Sequence, residues 1–149
     1  MNQDHFNIKQ ITAQESYSVR HPVLRPGKPI STCVFDGDDL ATTIHLGLYQ
    51  AETLIGICSF FKNAHPDLSV QNQYQLRGMA VLNVFQGQGL GNMILAFGEK
   101  LMNQKNTETI WCNAREIALP FYKKCGYETF GQAFDIPSIG PHYAMYKTL

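Results

Sequence analysis

The stretch FQGQGLGNM, Phe85 to Met93, sets Gly87, Gly89 and Gly91 at alternate positions and then runs into an apolar sequence of helical spacing. Glycine weakens a helix, so three of them where one begins need a reason outside helix propensity. A helix N-terminus offers unpaired N–H groups and a partial positive charge, and missing side chains let a phosphate reach them. Spacing separates the known phosphate loops. A Walker loop needs Gly-Lys followed by Ser or Thr, whereas Gly89 is followed by Leu90 and Gly91 by Asn92. A dinucleotide fingerprint starting at Gly87 and Gly89 needs glycine where Asn92 stands, and the next strand ends in Asn113 in place of an acid for a ribose. A glycine-rich turn that merely starts a helix is the plain alternative.

The strand before the loop carries a second signal. In YQLRGMAVL the apolar alternation runs through Tyr74 and Leu76, then slips one place to Met79 and Val81, with Gly78 at the slip. A slip at glycine marks a β-bulge, which takes N–H and C=O groups out of the ladder and leaves them for a peptide-like ligand. Ala80 and Leu82 are apolar too, so a strand buried on both faces would also fit. Further upstream, SVRHPVLRPGKP holds Arg20 and Arg25, two of four arginines, and Lys28, with no acid between Ser16 and Phe35. Such a positive excess suits an anionic acceptor or an outer phosphate, although most runs of this kind are solvated surface.

These residues need elements to position them. Phe6 to Ile11 reads as a strand, with Thr12 as N-cap of a helix over about Ala13 to Val19, which Pro22, Pro26, Gly27 and Pro29 then forbid from continuing. Asp36 to Asp39 mark a turn. Strands around Thr42 to Tyr49 and Leu54 to Phe61 form a hairpin about Gln50 to Thr53. A polar loop near His65 to Ser69 leads to the strand from Gln73 to Leu82. Leu90, Met93, Ile94, Phe97 and Leu101 then predict a helix to about Asn103 that lays this stripe on a sheet. A buried strand at Thr109 to Cys112 completes a strand, helix, strand unit, hence a right-handed crossover and a parallel pair. A helix over Ile117 to Cys125 tolerates Pro120 only in its first turn and ends at Gly126; strands near Glu128 to Phe134 and His142 to Lys147 close an α+β sheet.

LRGMAVLNVFQGQGLGNMIL resembles the central motif of the GCN5-related N-acetyltransferase superfamily: Gln or Arg, two variable residues, Gly, one variable residue, then Gly or Ala. Gln86, Gly89 and Gly91 satisfy it without departure. WCNAREIALPFYKKCGYE resembles the next motif, with Asn113, Ala118, Phe121, Tyr122 and Gly126 in register. Together they cover about Gln75 to Glu128. The chain is thereby identified as a small bacterial-type member of the superfamily. The resemblance implies an α+β, three-layer fold: a mixed, mostly antiparallel, splayed sheet of about six to seven strands, with a central βαβ crossover and helices on both faces. It implies a single domain over residues 1–149 that holds acetyl-CoA between the strands ending at Leu82 and Asn113.

In that family reading the backbone of Met79, Ala80 and Val81 meets the pantetheine arm and polarises the thioester carbonyl. Amides of Gln86, Gly87, Gln88, Gly89, Leu90, Gly91 and Asn92 hold the pyrophosphate, Asn113 and Phe121 contact the arm, and Tyr122 sits near the sulfur. Attack of an amine builds charge on the carbonyl oxygen and then on the sulfur, which gives Met79 an oxyanion role and Tyr122 that of general acid. Tyr122 is otherwise an ordinary core aromatic beside Phe121. The attacking amine must be neutral; Glu116, Asp135 and His142 are candidate bases, each with a plain structural role as helix start, strand-end acid or packed ring. The arginine run and SIGPHYAM resemble segments of small bacterial acetyltransferases, which implies pocket positions for Arg20, Arg25 and His142.

The expected activity is therefore direct acetyl transfer from acetyl-CoA to a primary amine on a small molecule or a protein, with no metal. An acyl-CoA sensor domain without turnover is the alternative, and a mononucleotide-binding module a weaker third. Twelve basic and twelve acidic side chains cancel, which argues against a nucleic-acid binder. The polar N-terminus with Asp4, and no apolar run near the roughly 20 residues that span a bilayer, argue for a soluble chain without membrane attachment. Cys33, Cys58, Cys112 and Cys125 lack CxxC spacing and suit free thiols in the cytoplasm. A homodimer is compatible with all of this.

Overall fold

Seven strands and three α-helices make up the chain in the computed structural model, which describes residues 5–149. Asp4 lies outside the described residues. The strands are β1 (Phe6–Ile11), β2 (Ile44–Gln50), β3 (Thr53–Phe61), β4 (Gln73–Val81), β5 (Thr109–Arg115), β6 (Glu128–Ile136) and β7 (Gly140–Thr148). The helices are α1 (Ala13–Leu24), α2 (Leu90–Gln104) and α3 (Leu119–Lys124). Hydrogen-bonded neighbours give the order β1, β2, β3, β4, β5, β7, β6. This is the mixed α+β sheet of about six to seven strands that the family motifs imply. Two compact units divide the chain: Met1–Phe61 with Leu76–Leu101, and Lys62–Gln75 with Met102–Leu149.

In the first unit β1, β2 and β3 pair antiparallel in that order; α1 lies between β1 and β2 in the chain, and the β2–β3 hairpin turns at Ala51 and Glu52. Ile11, Val19, Ile57 and Ala80 bury together, with Val23, Leu24, Tyr49, Leu54 and Leu82 packed around them. The start of α1 is set by a capping box: Thr12 Oγ1 accepts from Glu15 N–H, and Glu15 Oε1 accepts from Thr12 N–H. The helix continues to Leu24, beyond the expected end at Val19, and Pro22 lies inside it. Proline removes one helical bond, to the carbonyl of Ser18, but Ser18 and Pro22 are both exposed, so water can satisfy that carbonyl while Val19 and Val23 hold the opposite face.

The glycine-preceded helix, α2, also departs from its expected face. Leu90, Ile94, Leu95 and Met102 are buried, whereas Met93 and Phe97 are exposed. The reason is Gly98, where an added Cβ would stand 2.5 Å from Phe60 Cε1 and Cζ. That glycine lets the Phe60 ring approach the helix backbone, which turns the row 90, 94, 98 inward and the row 93, 97 outward.

In the second unit β5 pairs in parallel with the first residues of β4, Gln73 with Thr109 through Gln75 with Trp111, and antiparallel with β7. Parallel strands joined through α2 make the expected βαβ unit. Buried Gln73 closes the preceding loop by accepting from His65 N–H and donating to the carbonyls of Leu68 and Val70. The β6–β7 ladder is interrupted between Phe130 and Phe134, where three residues face one. Among the described residues, no helix is long and apolar enough to cross a membrane.

Candidate active site

Gly78 bends β4 where the hydrophobic pattern slips. Its φ of +66° is left-handed backbone, strained for other residues, and an added Cβ would lie 3.4 Å from Arg20 Nε and from the Phe35 ring. Beyond the bend the pattern differs from expectation, since Ala80 is buried while Met79 and Val81 are only half-buried. β4 ends at Val81, and Leu82 N–H donates to Ile55 O at 2.9 Å. A single 3-10 turn, Asn83–Phe85, leads to the glycine loop.

Gln86 fastens this loop. Its backbone N–H donates to Asn83 O, and its side-chain amide donates to Val81 O at 2.9 Å and to Asn83 Oδ1 at 3.1 Å. The Gln86 amide expected to face a phosphate is thus already used within the turn. Gly87 and Gly89 follow with φ of +83° and +77°, and a Cβ at either would meet nothing within 4 Å. Conformation, not crowding by the protein, therefore selects glycine there, and open space lies where side chains would stand. The Met93 N–H donates to Gly89 O at 3.1 Å, and the N–H groups of Leu90 and Gly91 open the first turn of α2, ahead of the helical ladder. Clear space, exposed glycines and helix amides fit a diphosphate.

In the second unit Asn113 is exposed on β5, with Cys112 and Ala114 buried either side. Pro120 falls in the first turn of α3 and Gly126, at φ +95°, follows its end, as the sequence predicts. This short helix holds Phe121 and Tyr122 edge to face at 5.0 Å, and Tyr122 meets Tyr127 at 5.7 Å; Tyr122 is buried. Glu116 Oε2 lies 3.5 Å from the Tyr143 hydroxyl. Asp135, with Ala133, Phe134 and Pro141, lines a cleft of about 270 Å3. His142 is buried, with Nδ1 2.8 Å from Gly140 O and its ring beside Phe134. Among the described residues no group of three or more His, Cys, Asp or Glu is placed to hold a metal ion.

Arg20 requires a correction. It is wholly buried, and its Nη atoms bind Asp38 Oδ2 and Oδ1 at 2.8 and 3.0 Å, Cys33 O at 2.8 Å and Ser59 Oγ at 3.3 Å. Its charge belongs to a structural network that includes His45, which contacts Ser59 Oγ and Asp38 O. No acid lies near Arg20 in sequence on its C-terminal side until Phe35 is passed; the fold brings Asp38 to it. Arg25 is half-buried and spends one donor on its own neighbour, Leu24 O. Sequence reading missed Arg77, the residue before the bend. Its guanidinium lies 4.4 Å from the Phe35 ring centroid and 5.3 Å from that of Phe61. Its only sequence signal was its place beside Gly78, inside a segment read for backbone alone.

Residues 11–127 match the Acetyltransferase (GNAT) family. The N-acetyltransferase YitI of Bacillus subtilis (strain 168), itself uncharacterized, is 37% identical over 142 residues, covering 95% of each chain. A crystal structure from Lactobacillus plantarum superposes with a TM-score of 0.78 at 20% identity, covering 97% of this chain and 98% of the other. An aminoglycoside 6'-N-acetyltransferase complexed with coenzyme A superposes at 0.76 and 13% identity, covering 95% and 96%. The family match over most of the chain, joined to the bent strand and glycine loop, makes this protein an N-acetyltransferase that belongs to the GNAT family.

Proposed function

We propose that the enzyme moves acetyl from acetyl-CoA directly to a primary amine, on a small molecule or a protein. The observation that carries this reading is the pair of left-handed glycines, Gly87 and Gly89, opening onto α2 with free space where side chains would be. Their N–H groups, with those of Gln88, Leu90 and Gly91 and with Asn92 beside them, receive the diphosphate. Past the bend, the main chain at Met79, Ala80 and Val81 receives the pantetheine amides, and Asn113 and Phe121 contact the same arm.

Acetyl-CoA supplies the thioester carbonyl that the amine attacks and the sulfur that leaves. The Met79 N–H donates to the carbonyl oxygen as negative charge gathers there; one well-aimed donor of this kind is worth about 2.7–4 kcal/mol. The Tyr122 hydroxyl donates to the departing sulfur and can leave its proton there. The proton that the amine nitrogen sheds passes to water or to Glu116, Asp135 or His142. Four cysteines outside any disulfide suit a reducing cytoplasm, where one catalytic domain of this length would work.

Calorimetry with coenzyme A, paired with thiol release from acetyl-CoA across a panel of amines, tests the reading. Binding together with amine-dependent release is expected. Binding without release under any amine would favour the sensor alternative, and no heat of binding would overturn both.

A further inference from the structure

Three of the four arginines of the chain converge on one aromatic ring. The guanidinium carbons of Arg20, Arg77 and Arg25 lie 4.0, 4.4 and 5.7 Å from the Phe35 centroid. Like charges gathered this closely repel unless anions sit among them. Asp38 answers one of the three, since both its oxygens are held by Arg20. Arg77 is half-buried, and among the described residues its side chain makes no hydrogen bond or ion pair. Burial first, then the charges of Arg20 and Arg25, push its pKa down against the pull of Asp38 and Asp36. It stays protonated at neutral pH, with its donors unspent.

Place decides what those donors are for. The cluster backs onto the bend of β4, because Phe35 and Arg20 are the atoms nearest to Gly78. Arg77 stands two residues before Met79, roughly 7 Å along the strand. The diphosphate is assigned to the loop after β4, so an anion at Arg77 is a different group. A planar guanidinium pairs best with a planar carboxylate, through two parallel hydrogen bonds.

We propose that the acceptor amine carries a carboxylate a few bonds away, which Arg77 receives at the edge of Phe35 with Arg25 beside it. This rests on the acetyl-transfer reading, in which the amine must approach the carbonyl held at Met79. Arg77 thereby selects the acceptor, while Arg20 and Asp38 brace the ring from behind.

The test compares matched amines that differ only in the carboxylate: glycine with glycinamide, β-alanine with β-alaninamide, and L-lysine with L-lysinamide. Rates of thiol release are expressed per neutral amine, because the amide form lowers the amine pKa. The free acids are expected to exceed their amides in kcat/KM by about tenfold or more. Arg77→Gln should remove that preference by raising KM for the acids about tenfold while the acetyl-CoA Kd stays unchanged, and Arg77→Lys should restore part of it. Circular dichroism checks that each variant folds; if Arg77→Gln does not, the wild-type comparison decides alone. Equal use of acids and amides, preference for amides, or no turnover of any acid by enzyme that binds acetyl-CoA overturns the proposal and leaves cofactor binding standing. A weakened acetyl-CoA Kd in Arg77→Gln with unchanged KM for the acids also overturns it, and moves Arg77 to the donor side. Absence of acetyl-CoA binding to the wild type is a separate result that removes the underlying reading.

Discussion

Arg20 and Asp38 form a bidentate ion pair with Nη1–Oδ2 and Nη2–Oδ1 distances of 2.8 and 3.0 Å, and with side-chain exposures of 0% and 3%. Breaking one side of such a pair strands the other charge out of water, which costs about 3–5 kcal/mol, whereas replacing both by apolar residues of similar size is often neutral. Asp38→Asn should therefore destabilise strongly in urea unfolding. Arg20→Met combined with Asp38→Leu should recover much of the loss. A single substitution that left the midpoint in place would show that the pair carries no such role.

The same carboxyl has a pH signature. Burial raises its pKa, but the Arg20 hydrogen bonds, the Phe35 N–H and the charges of Arg20 and His45 together lower it further than burial raises it. A carboxyl depressed on folding stabilises above its unfolded pKa of about 3.9 and loses that contribution as pH falls through the folded value. Stability should thus decline below about pH 4, and the decline should be shallower in the double variant. Urea midpoints measured from pH 6 down to pH 3 supply the comparison.

Tyr122 packs against Phe121 and Tyr127, and phenylalanine keeps both ring contacts. Tyr122→Phe is expected to lower kcat by about 10²–10⁴ while coenzyme A affinity by calorimetry stays near wild type. Unchanged turnover would take Tyr122 out of the chemistry and leave it as packing.

Two glycines should lose different properties on substitution by alanine. Gly89 faces open space at φ +77°, so Gly89→Ala meets strain of about 1–2 kcal/mol and sets a methyl group where the diphosphate is assigned; coenzyme A binding should weaken about tenfold or more. Gly98→Ala places its Cβ 2.5 Å from the Phe60 ring. Overpacking costs about 1–3 kcal/mol against a helix-propensity gain of at most about 1, so the loss should appear in the melting temperature. Identical profiles for the two variants would contradict this division.

Thiol accessibility gives a check that needs no ligand. Burial raises the Cys33 and Cys58 thiols and pushes Cys112 up to about 12, and only Cys125 is half-buried. Because the thiolate is the reactive form, Ellman's reagent at pH 8 should modify at most one cysteine in the native protein and all four in denaturant. Rapid modification of two or more would mean that the second and third are more open than their burial indicates.

Local patterns were readable wherever a residue acts on its own backbone. Thr12 as a cap, Pro120 in a first turn and Gly126 after a helix end all follow from dihedral preference and hydrogen-bond loss, whereas at Gly78 the left-handed backbone is present but the expected slip of the buried face is not, since Leu76 and Ala80 keep the alternation. What escaped was decided across the chain. The Asp38 partner of Arg20 arrives through a loop 18 residues on, the inward face of α2 is chosen by Phe60 acting on Gly98, and the gathering of Arg25 and Arg77 depends on where Phe35 lands. Pro22 is overruled for a related reason, since Val23 and Leu24 gain burial against the cluster of Ile11, Val19, Ile57 and Ala80 that one lost helical bond does not outweigh.

The grip of Gln86 on the Val81 carbonyl means that the turn is shaped before any visitor arrives. Ordering a loose residue on capture takes about 1–2 kcal/mol, and a preset turn avoids that penalty at several positions. Nucleotide uptake should accordingly be quick and nearly rigid, with the rhythm of the enzyme governed by events elsewhere than in this corner.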